Sequence, residues 1–227
     1  MAVDVKICGI MTPEHGCAAV AAGADLIGLV FAPSRRRVSV AQAQTIVEVL
    51  RSTAARLSAT IGVVGVFVNE QPDTINQIAE VVGLDWDQFS GHEELRSAAA
   101  IDKPLVKAIR FDQHPSEAAW LAQPDTATAH GFPLLVDANV AGSFGGAGVT
   151  GDWQRAADLA RRWPVWLAGG LTPENVAAAI RRVQPRVVDV SSGVETDGVK
   201  DVAKIEAFIQ AVKQVNREGA DASPARG

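Results

Sequence analysis

Cys8 ends a strand-like run, Val3-Asp4-Val5-Lys6-Ile7-Cys8, and is followed at once by Gly9. A thiol there either packs as a small apolar group or acts as a base or nucleophile. The second role needs the thiolate, and so a pKa drawn down from about 8.5. Asp137 closes another apolar run, Phe132-Pro133-Leu134-Leu135-Val136. A carboxyl in that setting must be paired, reach water, or hold its proton more tightly than usual. The last condition makes a general acid; capping a helix or pinning a loop is the competing role. The arginines of Ser34-Arg35-Arg36-Arg37 either stay solvated or turn one guanidinium inward to fork onto a carboxylate. Gly169-Gly170 and Ser191-Ser192-Gly193 are each ordinary turn residues when taken singly. Cys17 sits in an alanine-rich stretch and reads as packing. His15, His92, His114 and His130 are scattered, and no His or Cys spacing matches a zinc site.

What these residues do depends on the elements that carry them. Runs rich in Val and Ile predict strands near 3–8, 25–31, 61–68, 84–89, 104–109, 133–138, 164–168 and 186–190. Helical periods predict helices near 13–23, 40–56, 71–82, 92–100, 115–122, 152–162, 173–183 and 201–217. Thr12-Pro13-Glu14 and Thr172-Pro173-Glu174 each offer an N-cap, a proline at the first helical position and an acid in the first turn. Ser39 offers a cap to the second helix. Ile61 to Val68 is apolar on both faces, which suits a parallel strand covered on both sides. Eight strand–helix pairs in 227 residues give the spacing of an α/β chain folded as a single (β/α)8 barrel. A doubly wound open sheet shares the alternation but usually has fewer strands. The barrel is expected over 1–217, with 218–227 as an unstructured tail.

In such a barrel, function gathers at the C-terminal ends of the strands. Cys8, the arginine triplet, Asp137, the glycine-rich 142–148 segment, Gly169-Gly170 and Ser191-Ser192-Gly193 all fall there. Glycine and serine turns after strands seven and eight together suit a phosphate, whose oxygens accept from closely approaching backbone N–H groups. The ligand expected is therefore a phosphorylated small molecule.

Composition limits the alternatives. With 48% hydrophobic and 21% charged residues the bulk of the chain is a packed globule. A net charge of −5 gives no overall basic face for nucleic acid. Two cysteines are too few for a disulfide scaffold. No apolar run approaches the ~20 residues that span a bilayer, and no signal-peptide pattern opens the chain. A cytoplasmic protein with no membrane association and no evident obligate protein partner is expected.

The motifs taken together resemble those of the phosphoribosylanthranilate isomerases of tryptophan biosynthesis. The first half carries Lys6-Ile7-Cys8-Gly9, Gly28-Leu29-Val30-Phe31 with Ser34-Arg35-Arg36, and Gly65-Val66-Phe67-Val68-Asn69. The second half carries Leu135-Val136-Asp137, then Gly145-Gly146-Ala147-Gly148 with Asp152-Trp153. It continues with Leu167-Ala168-Gly169-Gly170-Leu171-Thr172-Pro173-Glu174-Asn175-Val176, Val188-Asp189-Val190-Ser191-Ser192-Gly193-Val194-Glu195 and Lys200-Asp201. The resemblance runs from Lys6 to about Val212 and implies a barrel that performs an Amadori rearrangement without metal or organic cofactor. It implies Asp137 as the general acid, Cys8 as the general base and Arg36 at the anthranilate carboxylate. Gly169, Gly170, Ser192 and Gly193 match the phosphate turns, while Asp189 either meets a sugar hydroxyl or holds its loop. The chain departs from the family where Gln88-Phe89-Ser90-Gly91 stands in place of the common Gln-Leu-His-Gly, and where Ala147 replaces a usual threonine. Fold and phosphate turns alone also fit another sugar-phosphate isomerase, epimerase or lyase. Cys8, Arg36 and Asp137 together favour the first reading.

Overall fold

The computed structural model describes residues 2–123, 132–137 and 153–221. Eight parallel strands close into a barrel in chain order: β1 (Asp4–Cys8), β2 (Leu26–Val30), β3 (Gly62–Phe67), β4 (Trp86–Phe89), β5 (Leu105–Ile109), β6 (Leu134–Asp137), β7 (Val165–Ala168) and β8 (Val187–Val190). The seam between β1 and β8 sets Lys6 against Asp189 and Ile7 against Val190. Helices α1 (Pro13–Ala22), α2 (Val40–Arg56), α3 (Pro72–Val82), α4 (Pro115–Leu121), α5 (Trp153–Ala160), α6 (Val176–Val183) and α7 (Val202–Asp221) surround it. A two-stranded ribbon, β9 (Glu195–Thr196) with β10 (Val199–Lys200), follows β8. The predicted single (β/α)8 barrel is what the chain forms.

Strand alternation sorts side chains into two cores. Val64, Val106, Leu135, Trp166 and Val187 pack together inside the barrel, with Trp86 against them. Their neighbours along each strand, such as Val63, Leu105, Leu134, Val165 and Val188, face outward into the larger core between strands and helices. This period of two is why β-strand position decides which residues reach the site.

Local caps hold as the sequence predicts at two places. Thr12 accepts from the His15 N–H at the start of α1, and Ser39 forms a reciprocal capping box with Gln42 at α2. Three expectations change. The helix predicted at 92–100 is a 3-10 turn over Leu95–Ala100. Thr172 does not cap α6, which begins at Val176. Instead the Asn175 amide accepts from the Thr172 N–H at 2.8 Å and donates to the Gly170 carbonyl at 2.8 Å, folding 172–175 into a turn. Helix α7 also runs into the segment expected to be an unstructured tail. Glu218 there accepts from Arg181 on α6 at 2.8 Å and from Gln214 at 3.2 Å. Residues 222–227 lie outside the described residues, as does the glycine-rich 142–148 segment.

The outward face of β4 carries one discordant group. Asp87 is fully buried, and among the described residues neither carboxylate oxygen has a hydrogen-bond partner. Burial pushes its pKa up to about 7, against the pull of Lys103 and with the push of Asp102. A carboxyl whose folded pKa exceeds its unfolded value of about 3.9 binds its proton more tightly in the folded state. Its effect on stability is then most favourable below pH 4 and is lost as pH rises to about 7. The expected outcome is an unfolding free energy, measured by urea titration, that falls by up to a few kcal/mol between about pH 4 and pH 7 and falls by less in Asp87→Asn. An identical pH profile in the variant would contradict this.

Candidate active site

A polar cavity of about 220 Å³ opens at the C-terminal ends of the strands. Cys8, Gln88, Ser90, Arg110, Asp137 and Asp189 line it, together with the Ala168–Leu171 and Val190–Gly193 turns. A larger cavity of about 670 Å³ lies at the other end of the barrel, among Val3, Trp163, Pro164 and Arg186. It gathers arginines but, among the described residues, no thiol or carboxyl lines it, so the smaller cavity is the candidate for catalysis.

The structure brings most of the sequence-predicted residues together. Cys8 and Asp137 approach the cavity from β1 and β6. Gly169 and Gly170 have φ of 89° and 64°, the left-handed region open to glycine. Gly193 lies so close to the next loop that a Cβ would fall 1.8 Å from the Leu171 carbonyl oxygen. Both turns therefore bring bare backbone to the cavity. Ser191 hydroxyl donates to the Cys8 carbonyl at 3.1 Å, tying β8 to β1.

Arg36 is placed differently. Its Nε and Nη2 donate to the two oxygens of Glu195 at 2.7 and 2.9 Å, and the residue does not line the cavity. Arg35 and Lys200 converge on the same carboxylate at 2.6 and 3.0 Å. Burial alone would push Glu195 up, but the bonds from Arg36 and Lys200 bring its pKa to about 2.

The cavity floor holds residues that the sequence reading did not single out. Lys6, fully buried inside the barrel, donates to Asp189 Oδ2 and to Gln88 Oε1, both at 2.9 Å. Gln88 passes its own N–H to the Ser90 hydroxyl at 2.9 Å. Burial opposes the charge on Lys6, yet Asp189 and Cys8 outweigh it and hold its pKa above the ordinary value. Asp189 keeps its other oxygen, Oδ1, buried without a partner among the described residues. Burial pushes the Cys8 thiol up, while Lys6 and Lys200 pull it down. The available sequence signal was the alternation Asp4-Lys6-Cys8, which puts a lysine on the inner face beneath the thiol. Among the described residues, no group of three His, Cys, Asp or Glu side chains is placed to hold a metal ion.

A closed barrel whose polar cavity is ringed by a thiol, two carboxyls and glycine turns defines a (β/α)8-barrel enzyme of small-molecule metabolism. Residues 5–211 match the family model of N-(5'-phosphoribosyl)anthranilate isomerase. The isomerase of that name from Roseiflexus sp. strain RS-1 is 54% identical over 93% of this chain and 98% of its own length. The one from Pseudomonas fluorescens strain Pf-5 is 46% identical, covering 95% and 98%. Among solved structures, the Thermotoga maritima enzyme aligns with a TM-score of 0.77 at 36% identity, covering 93% of this chain and 99% of that one. A complex of the isomerase with reduced 1-(o-carboxyphenylamino)-1-deoxyribulose 5-phosphate aligns at 0.75 and 35% identity, with the same coverage. The chain belongs to the N-(5'-phosphoribosyl)anthranilate isomerase family, and it catalyses that isomerisation in tryptophan biosynthesis.

Proposed function

We propose that Cys8 and Asp137 perform the isomerisation as general base and general acid across the cavity. The observation that carries this is their convergence, from β1 and β6, on one cavity that also presents the Gly169-Gly170 and Ser192-Gly193 backbone. The substrate phosphate sits on those turns, between β7 and β8, where N–H groups meet the anion without side-chain obstruction. Asp137 gives a proton to the furanose ring oxygen. The C1–O bond breaks, and the amine lone pair forms a C1=N iminium. The Cys8 thiolate then removes the C2 proton, and the electron pair moves into C1=C2 to neutralise the nitrogen. The resulting enolamine tautomerises to the ketone as the C2 hydroxyl loses its proton and C1 gains one. Asp189 braces Lys6 beneath the thiol through Oδ2. Arg36 has only Nη1 left for a substrate carboxylate once Glu195 has taken its other two nitrogens.

The enzyme is proposed to work in the cytoplasm on this phosphorylated substrate, without an obligate protein partner. The free thiols of Cys8 and Cys17 suit a reducing compartment, and no helix of the described residues is long and apolar enough to cross a membrane.

The pH dependence of kcat/KM tests the pair. Burial pushes the thiol up, with Lys6 and Lys200 pulling against it. The active combination is thiolate with carboxylic acid, and the profile is expected to be bell-shaped with one limb from each group. The rate of Cys8 alkylation by iodoacetamide, measured in a Cys17→Ser background, is expected to titrate with one of the two limbs. An alkylation midpoint that matches neither limb would remove Cys8 from the base role.

A further inference from the structure

Glu195 is a buried carboxylate that none of the steps above uses. It opens β9, just beyond the proposed phosphate turn, and its side chain is 5% exposed. Three cations converge on it. Arg36 reaches Oε1 through Nε at 2.7 Å and Oε2 through Nη2 at 2.9 Å. Arg35 Nη2 reaches Oε2 at 2.6 Å, and Lys200 reaches Oε1 at 3.0 Å. One negative charge against three positive ones leaves a positive surplus here, which suits the approach of an anion.

Nε and Nη2 form the side edge of a guanidinium, and Glu195 occupies that edge with two parallel bonds. Only Nη1 is left without a bond to Glu195, but Nη2 carries a second N–H beside it. These two parallel donors make the end edge, which has no partner among the described residues, and a planar carboxylate fits such an edge. The aliphatic part of the side chain is fixed as well. Arg36 Cδ lies so close to Gly9 that a Cβ there would collide with it, and the Ser191 hydroxyl would be 3.2 Å from the same point. Gly9 follows Cys8, and both Cys8 and Ser191 line the cavity. Arg36 therefore crosses bare backbone beside the proposed base, held there by Glu195. Lys200 braces the same carboxylate from the β8 side, donating also to the Ser191 carbonyl at 2.8 Å.

We propose that Glu195 is a positioning residue: by clamping the side edge of Arg36, it holds the end edge ready for the ring carboxylate of the substrate. The proposal rests on the reading that Arg36 meets that carboxylate, and goes beyond it in assigning the orientation to Glu195. An unclamped arginine samples many rotamers, and a ligand must then freeze one of them at a cost to affinity. The clamp removes that cost before the substrate arrives, and only a ligand bearing the carboxylate benefits.

The test takes the ratio of kcat/KM for phosphoribosylanthranilate to that for its decarboxylated counterpart, phosphoribosylaniline, each generated from ribose 5-phosphate and the amine. Both carry the same phosphate and undergo the same proton transfers, so a general slackening of the β8 turn drops out of the ratio. The wild type is expected to favour the carboxylated substrate by about 10- to 100-fold. Arg36→Met should bring the ratio toward one. Glu195→Gln keeps the size but loses the charge and one acceptor. It should lower the ratio by about 3- to 10-fold, chiefly through a higher KM for the carboxylated substrate. Adding Glu195→Gln to Arg36→Met should lower the ratio no further, because the two residues act as a unit. Glu195→Asp keeps the charge but is one methylene too short to span both nitrogens, and it carries the same comparison if circular dichroism shows the glutamine variant unfolded. A ratio lost in Arg36→Met but kept in the folded Glu195 variants would overturn the proposal and leave the Arg36 reading standing. A wild-type ratio kept in Arg36→Met would remove that reading and the proposal with it.

Discussion

Asp137→Asn will lower kcat by about 10²- to 10⁴-fold, the range lost with a positioned general acid. The amide has the size of the carboxyl and keeps an acceptor oxygen, so the end of β6 keeps its shape. What it lacks is a proton that it can give up at useful pH. Ring opening then expels an alkoxide unaided, which is the costly half of the reaction. Asp137 is half-buried at the cavity wall, one strand from the Gly169-Gly170 turn, since β6 pairs with β7 from Leu134 to Asp137. Loss of phosphate binding is therefore not expected, and KM should change far less than kcat. Loss of anthranilate fluorescence on mixing enzyme with freshly generated substrate reads kcat directly. An asparagine variant within tenfold of wild type would remove Asp137 from the acid role.

Much of this arrangement was legible in the chain because it is written locally. The eight strands announce themselves as short Val- and Ile-rich runs, and Cys8, Asp137, Gly169 and Ser192 stand at or just beyond their C-terminal ends. Once the barrel is inferred, those ends must converge. What was not legible is set by partners far apart in sequence. Lys6 looks like an exposed strand residue until barrel closure brings Asp189 and Gln88 to it, 183 and 82 residues away. Arg36 looks available until the turn after β8 brings Glu195 against it, 159 residues on. The 3-10 turn at Leu95–Ala100 and the delayed start of α6 were missed for a related reason. Helical propensity and a Thr-Pro-Glu start are weak preferences, and at α6 a single side-chain amide, Asn175, is enough to redirect the backbone. Nor does sequence reveal that Asp87, in an otherwise unexceptional strand, is left without a partner among the described residues.

Cys8→Ser is expected to cost as much as the loss of the acid, again about 10²- to 10⁴-fold in kcat. The exchange of sulfur for oxygen is small in volume but decisive in acidity. A thiol ordinarily ionises near 8.5, and here two cations act on it. Lys6 sits beneath it on the same strand face, and Lys200 braces the neighbouring Ser191 at 2.8 Å. They lower the cost of a buried thiolate that burial raises. An alcohol ionises so far above neutrality that the same two cations leave it protonated, and proton removal from C2 then falls to water. The fold should not suffer, because the bond that ties β8 to this position runs from the Ser191 hydroxyl to the Cys8 backbone carbonyl and does not use sulfur. Binding should survive for the same reason, since the proposed phosphate turns belong to β7 and β8. Two measurements separate this from a merely structural thiol. The serine variant should bind reduced 1-(o-carboxyphenylamino)-1-deoxyribulose 5-phosphate within a few-fold of wild type, and iodoacetamide should inactivate the wild type unless that compound is bound. A serine variant with near-normal kcat, or a fully alkylated wild type that still turns over, would mean that the base is another group.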